Sequence, residues 1–230
     1  MSLVLRGVAA PLRLADFRLI AFDMDSTLIS IECVDEIAAM AGKKAEVAAI
    51  TEAAMRGEIA DYKESLRRRV AMLAGVPTSA LQRVYDERLR LNPGVERFVA
   101  TCRGAGLHTL LVSGGFTFFT DRVGARLGID FARSNVLGVE SGRLTGRMVD
   151  QPWGDICDGA EKCRAVLQSC ARLGVDPKQA IAIGDGANDL PMMDAVGLSI
   201  AYHAKPAVRA RAMVSIDDGA MDQALEILLP

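Results

Sequence analysis

Short apolar blocks recur along the chain, each bounded by polar or glycine-rich residues: Leu19–Phe22, Thr109–Val112, Ala180–Ile183, Leu198–Ala201 and Met213–Ile216. They alternate with stretches whose apolar positions recur at helical spacing. This pattern predicts a parallel sheet buried on both faces, with helices as the crossovers. Two helices carry clear end signals. One is expected from about Pro93 to Arg103, with Asn92 as its N-cap, Pro93 in the first helical position, and Gly104 and Gly106 beyond its end. The other is expected from about Gly159 to Leu173, opened by the capping-box-like pair Asp158 and Glu161 and closed by Gly174.

Between Cys33 and Leu91 the character changes. No strand-like run occurs there, and helical stretches follow one another at Val34–Ala41, Lys44–Arg56, Tyr62–Ala74 and Ser79–Arg90. Leu66, Val70 and Leu73 show the spacing of one buried helix face. The expected organisation is an α/β core of Rossmann-like type over residues 1–32 and 91–230, with a helical bundle over residues 33–90 inserted after the first strand. Within the core, alternating runs on either side of Ser141 and Gly142 predict a small β-hairpin over Val136–Val149.

Composition narrows the partners. The formal net charge of -2 on 230 residues gives no reason to expect nucleic acid or an anionic membrane. The triplet Arg67, Arg68 and Arg69 reads first as the solvated face of a helix. No apolar run approaches the ~20 residues needed to cross a bilayer, and the first residues lack the pattern of a secretory signal. A cytoplasmic protein is expected, monomeric or homodimeric. The cysteines at 33, 102, 157, 163 and 170 form no C-x-x-C pair and read as small buried hydrophobes.

Ligands of open α/β sheets bind beyond the carboxyl ends of the strands. Asp23-Met24-Asp25-Ser26-Thr27 follows the first run, Ser113-Gly114-Gly115 the second and Gly184-Asp185-Gly186-Ala187-Asn188-Asp189 the third. Singly, an Asp at a strand end is often a helix cap and Gly-Gly a tight turn. Taken together they bring Asp23, Asp25, Asp185 and Asp189 to one sheet edge. Their mutual repulsion calls for a cation, and oxygen-only ligands favour a hard one, with Mg²⁺ the common choice beside phosphate. The Ser113 hydroxyl and the Gly114 N–H suit phosphate oxygens. One carboxylate of the Asp23/Asp25 pair can attack phosphorus and the other can serve as acid and base. Lys162 falls near the start of a helix, where the dipole disfavours a cation. A phosphate or an Asp nearby would offset that, and a solvent-facing lysine is an equal reading of position alone.

These segments together resemble the haloacid dehalogenase superfamily, and within it the phosphoserine phosphatases, from about Leu19 to about Pro206. The resemblance rests on Asp23-Met24-Asp25-Ser26-Thr27-Leu28, Val112-Ser113-Gly114-Gly115-Phe116 and Gly184-Asp185-Gly186-Ala187-Asn188-Asp189. It extends to Glu32-Cys33-Val34-Asp35-Glu36-Ile37-Ala38, Ser65-Leu66-Arg67-Arg68-Arg69-Val70 and Ala201-Tyr202-His203-Ala204-Lys205-Pro206. It implies a Mg²⁺-dependent hydrolysis of a small phosphomonoester, O-phosphoserine, through an aspartyl-phosphate, with residues 33–90 as a cap domain. It also implies the roles of particular residues. Asp23 is then the nucleophile and Asp25 the general acid/base. Asp23, the Asp25 carbonyl and Asp185 hold the metal, and Asp189 orients its surroundings. Ser113, Gly114, Lys162 and Asn188 bind the phosphoryl group. Glu32 meets the substrate ammonium, Arg69 grips its carboxylate, and Met55 and Tyr62 wall the pocket.

The chain departs from the resemblance in having Tyr62 where phenylalanine is usual, and one extra residue between Gly57 and Ser65. No regulatory domain is expected. Asp35, Glu36, Asp150 and Asp155 read as helix caps or surface charges, and His108 as structural. Phe116, Phe118 and Phe119 read as core packing, and Trp153 as weak cover for the site. A phosphotransferase and a non-catalytic phospho-accepting module are the rival readings. The inserted bundle and Asp25 have no purpose in the second.

Overall fold

A computed structural model describes residues 3–56, 58–59 and 61–229. In chain order the strands are β1 (Leu3–Leu5), β2 (Leu12–Arg13), β3 (Leu19–Phe22), β4 (His108–Phe116), β5 (Phe131–Glu140), β6 (Arg143–Val149), β7 (Ala180–Gly184), β8 (Leu198–Tyr202), β9 (Val214–Ile216) and β10 (Leu228–Leu229). The α-helices are α1 (Cys33–Met40), α2 (Lys44–Met55), α3 (Tyr62–Ala71), α4 (Ser79–Arg83), α5 (Val95–Gly104), α6 (Thr117–Leu127), α7 (Gly159–Leu173), α8 (Leu190–Ala195) and α9 (Pro206–Arg211).

Each of the expected apolar runs lies in a strand of one eight-stranded sheet ordered β1-β9-β8-β7-β3-β4-β5-β6. β3 runs parallel to both β4 and β7, so the three strand ends that carry the acidic and glycine motifs are neighbours. Strands β3, β7 and β8 are buried along their whole length, as a sheet covered on both faces requires. Apolar side chains form a cluster on either side, one including Phe22, Phe98 and Ile183 and the other Leu19, Val166 and Ala182.

β5 was not expected as a strand of the main sheet over its first half. It pairs parallel with β4 at its start and antiparallel with β6 at its end. Its early residues alternate too weakly in polarity to announce a strand. The predicted hairpin is present, with Ser141 and Gly142 both at positive φ in the tight turn.

Helices α1 to α4 and a π-helical stretch at Val84–Arg88 lie between β3 and α5. The last expected helix of this segment therefore winds as an α-helix over Ser79–Arg83, continues as a π-helix over Val84–Arg88, and ends two residues before Arg90. The segment docks on the hairpin by backbone bonds: Gly75 N–H to the Leu144 carbonyl and Leu144 N–H to the Val76 carbonyl, both at 2.8 Å. No described helix is long and apolar enough to cross a membrane.

Two helix-end expectations are corrected. α5 begins at Val95 after Gly94 at φ 79°, and the Asn92 side chain does not cap it. The Asn92 amide instead donates to the Thr27 and Ile29 carbonyls at 2.8 and 3.1 Å, tying the loop after β3 to the chain returning from the inserted helices. At α7 the Asp158 carboxylate accepts the Glu161 N–H at 2.9 Å, as a cap should. The buried Glu161 side chain does not reciprocate, because Arg133 draws it away at 2.5 Å and Arg164 adds a second contact.

Asn92→Ala leaves those loop carbonyls without their donor. The expected loss is about 1–3 kcal/mol of stability, read by urea denaturation against the parent protein. An unchanged midpoint would mean that the amide does not hold the loop.

Candidate active site

The loop after β3 coils instead of extending. The N–H groups of Thr27, Leu28 and Ile29 all point to the Met24 carbonyl, at 3.2, 2.9 and 3.0 Å. Ser26 takes the left-handed conformation at φ 58°. This turn is what lets Asp23 and Asp25, two residues apart, border one site rather than opposite faces of a strand.

Asp23 continues the sheet pairing through its N–H, which donates to the Ile183 carbonyl at 2.9 Å. Its Oδ1 lies 2.6 Å from the Lys162 ammonium, and Asp189 Oδ1 lies at the same distance from that ammonium. Lys162 is completely buried, so these two carboxylates replace its water. They also raise its pKa against the effect of burial, keeping it charged. The surface reading of Lys162 is thereby excluded.

The second Asp189 oxygen accepts the N–H groups of Asp185 and Gly186 at 3.1 and 2.9 Å. This side chain folds so closely over the loop that a Cβ on Gly184 would stand 2.4 Å from it. Asp185 accepts from the Thr27 hydroxyl at 3.2 Å. Carboxylate oxygens of Asp23, Asp185 and Asp189 lie within 4.8 Å of one another. When ionised, these three carboxylates outnumber the one ammonium in contact with the cluster, that of Lys162, by two, although Lys205 also acts on Asp185. The excess and the all-oxygen donor set fit a divalent hard cation.

The imbalance is visible in the acidities. Burial, then the Asp189 charge, raise the Asp23 carboxyl well above the usual range despite Lys162. Asp185 is pushed up to about 7 by burial, then by Asp189 and Glu32. Asp25 is also pushed up to about 7, by burial and the Glu32 charge. Its carboxylate is held on the other side of the loop by the Cys33 N–H at 3.0 Å and the Cys33 thiol at 3.1 Å.

Ser113 is buried in β4, and its hydroxyl oxygen accepts the Gly115 N–H at 2.9 Å. The Gly114 carbonyl is turned away by the Asn135 amide at 2.8 Å, while Asn135 Oδ1 accepts the Cys157 N–H at 2.8 Å. Asn135 thus ties the glycine loop to the segment leading into α7. Asn188 sits in the turn Ala187–Asp189, with its Oδ1 against Gly186.

The inserted helices contribute from above. Glu32 precedes α1 and accepts the Ser26 hydroxyl at 2.7 Å. Arg69 lies on α3, and its Nε is buried without a hydrogen-bond partner among the described residues. Asp35 has a buried unpartnered Oδ1 and feels the Arg69 charge, so it is no simple surface acid. Tyr62 opens α3 and brings its hydroxyl against Gly114. The Met55 side chain, and Gly57 and Ala60 in the segment with the extra residue, lie outside the described residues.

Asp155 is corrected from cap or surface charge to a bridge: it pairs with Lys63 at 2.7 Å and Arg67 at 2.5 Å, both on α3. Phe116 and Phe119 are core, and Phe118 lies under Arg122 at 3.6 Å. Asn92, Asn135, Thr27 and Cys33 support the site but escaped the sequence reading. Asn92 and Asn135 lie outside the motifs, and Thr27 and Cys33, although inside them, carry no signal of whom they will meet in three dimensions.

This arrangement of strand ends, acidic cluster and buried lysine is that of a phosphoryl-transfer site. The family model for haloacid dehalogenase-like hydrolase matches residues 20–194. The chain belongs to the haloacid dehalogenase-like hydrolases, a family that implies a divalent metal. More narrowly, it is 67% identical over 229 residues to a phosphoserine phosphatase of Albidiferax ferrireducens, covering 100% of this chain and 97% of that one. It is 68% identical over 223 residues to one from a Polaromonas species, covering 96% and 94%. A solved phosphoserine phosphatase with substrate bound superimposes with a TM-score of 0.84 at 32% identity, covering 92% of this chain and 98% of that one.

Because the raised carboxyls of Asp23, Asp25 and Asp185 hold protons in the folded chain that the unfolded chain has released, their contribution to metal-free stability is full below the ordinary carboxyl range. It declines as pH rises from about 4 through about 7. Thermal melts in EDTA across that range are expected to show this decline, and added MgCl₂ to raise the melting temperature most at the alkaline end. A metal-free melting temperature that climbs with pH from 5 to 7 would contradict the charge imbalance.

Proposed function

We propose that this chain hydrolyses O-phosphoserine to serine and phosphate through an aspartyl-phosphate on Asp23, with Mg²⁺ as its metal. The observation that carries the reading is the pairing of roles within one turn. Asp23 shares a buried ammonium with Asp189, while Asp25, two residues on, has a carboxyl pushed up to about 7. A carboxyl at that value can give a proton and take it back near neutral pH.

Asp23, the Asp25 carbonyl and Asp185 are assigned to hold Mg²⁺. When bound, the ion neutralises phosphate charge and lets an anionic nucleophile approach an anionic ester. Lys162, the Ser113 hydroxyl, the Gly114 N–H and Asn188 receive the phosphoryl oxygens. An oxygen of Asp23 forms its bond to phosphorus as the bond to the serine oxygen breaks, and Asp25 protonates that leaving oxygen. Asp25 then takes a proton from water. The water oxygen bonds to phosphorus, and the bond to Asp23 breaks. Asp189 keeps Lys162 aimed at the site.

Residues 33–90 are assigned as a cap that closes over this centre and excludes water. Substrate choice follows from the groups it presents. Glu32 is assigned to the substrate ammonium. Arg69 is assigned to the carboxylate, and its buried, unpartnered Nε supports that assignment, because such a donor is costly until an acceptor arrives. Met55 and the Tyr62 ring are assigned to the pocket wall.

Asp23→Asn is expected to abolish phosphate release from phosphoserine, while full activity of a verified variant would reassign the nucleophile. Arg69→Ala should lower kcat/KM on phosphoserine by about 10- to 100-fold, the scale of a lost charge-assisted contact. It should cost much less on phosphoethanolamine, which has no carboxylate. Equal losses on the two esters would remove Arg69 from the carboxylate end.

A further inference from the structure

The hydroxyl of Tyr62 takes no part in the reaction proposed above. Tyr62 is the first residue of α3, and its phenol reaches from the cap to the glycine loop of the core. The approach is close: a Cβ added to Gly114 would stand 2.0 Å from Tyr62 Oη and 3.3 Å from its Cζ. Only a residue without a side chain fits beneath that hydroxyl. The loop underneath is the one whose Gly114 N–H is assigned above to the phosphoryl group, and its Gly114 carbonyl is held by Asn135.

No residue among those described accepts or donates a hydrogen bond at Tyr62 Oη. Its electrostatic neighbours are the charges of Lys162, Arg69 and Asp23, with Lys162 exerting the largest effect. Burial raises the phenol pKa, so the group is a neutral O–H donor. A donor placed against the glycine loop and near a buried lysine is free to meet an acceptor that enters the site.

The placement is held from the neighbouring residue. Lys63 Nζ is 2.7 Å from Asp155 and 3.6 Å from Asp158, the residue that caps α7. Arg67, one turn further along α3, reaches the same Asp155. These pairs join the start of α3 to the start of α7, the helix that carries Lys162.

We propose that the Tyr62 hydroxyl donates a hydrogen bond to a non-bridging oxygen of the transferring phosphoryl group, so that the phosphate site is completed from the cap. The inference rests on the phosphatase reading above and gives this position a task that a phenylalanine ring cannot perform. Cap closure is then sensed at the phosphoryl group as well as at the amino-acid end of the substrate. The same contact holds for the free phosphate product, which carries the same oxygens.

The test uses the Mg²⁺-loaded full chain and Y62F, which removes one oxygen and keeps the ring. Orthophosphate is titrated as a competitive inhibitor, and kcat and KM are measured on phosphoserine and on phosphoethanolamine. The expected result is an inhibition constant for orthophosphate raised about tenfold or more, with kcat/KM reduced by a similar factor on both esters and an unchanged melting temperature. Orthophosphate inhibition equal to the parent's would overturn the proposal. So would a loss on phosphoserine alone, which would put the hydroxyl at the amino-acid end. Failure of the parent protein itself to release phosphate from phosphoserine would instead sink the functional reading, and this inference with it.

Discussion

The buried ammonium of Lys162, held at 2.6 Å by both Asp23 and Asp189, is the constraint on which the rest of the molecule depends. A cation with no exposed surface is tolerable only while its partners stay in place, and removing one partner of such a pair typically costs ~3–5 kcal/mol. Three separate segments must therefore arrive together: the end of β3, the first turn of α7 and the turn after β7. The helix dipole works against Lys162 at that position, so the carboxylates must outweigh it. They do so with charge to spare, and that surplus is what suits the site to a divalent cation.

The surroundings of this centre are built from single bonds between distant segments. Asn92 fixes the loop after β3 from the far end of the inserted helices, and Asn135 joins the glycine loop to the approach of α7. Asp155 draws α3 down toward the same helix through Lys63 and Arg67. These exposed pairs are individually weak. That suits the proposed cap, whose opening and closing would break and remake such contacts. The backbone bonds from Gly75 and Val76 to Leu144 give the cap a second footing on the hairpin, away from the chemistry.

Much of this is legible in the amino-acid order because it depends on short local patterns. The runs at Leu19–Phe22 and Ala180–Ile183 are apolar throughout, as central strands must be, and the residues just beyond them hold the acids. α7 is delimited by Asp158 and Gly174, whose cap geometries are local. The reading fails where a side chain answers to a distant partner. Asn92 looks like a helix cap by its neighbours, yet its amide is used by carbonyls more than sixty residues earlier. Glu161 fits a capping box until Arg133, on β5, takes its carboxylate. β5 itself escapes because its two halves pair with different strands in opposite senses.

The centre is also a place where local rules are broken for a purpose. Ser26 adopts a left-handed backbone, like charges are crowded together, and a lysine is buried at a helix start. In the proposed reaction all three serve to aim one carboxylate, that of Asp23, at an electrophile. The most direct measurement is acid quenching during steady turnover of phosphoserine, followed by borohydride reduction and peptide mapping by mass spectrometry. An acyl phosphate on Asp23 predicts homoserine at position 23. Homoserine at another position, or none in a sample that releases phosphate at its full rate, contradicts the account.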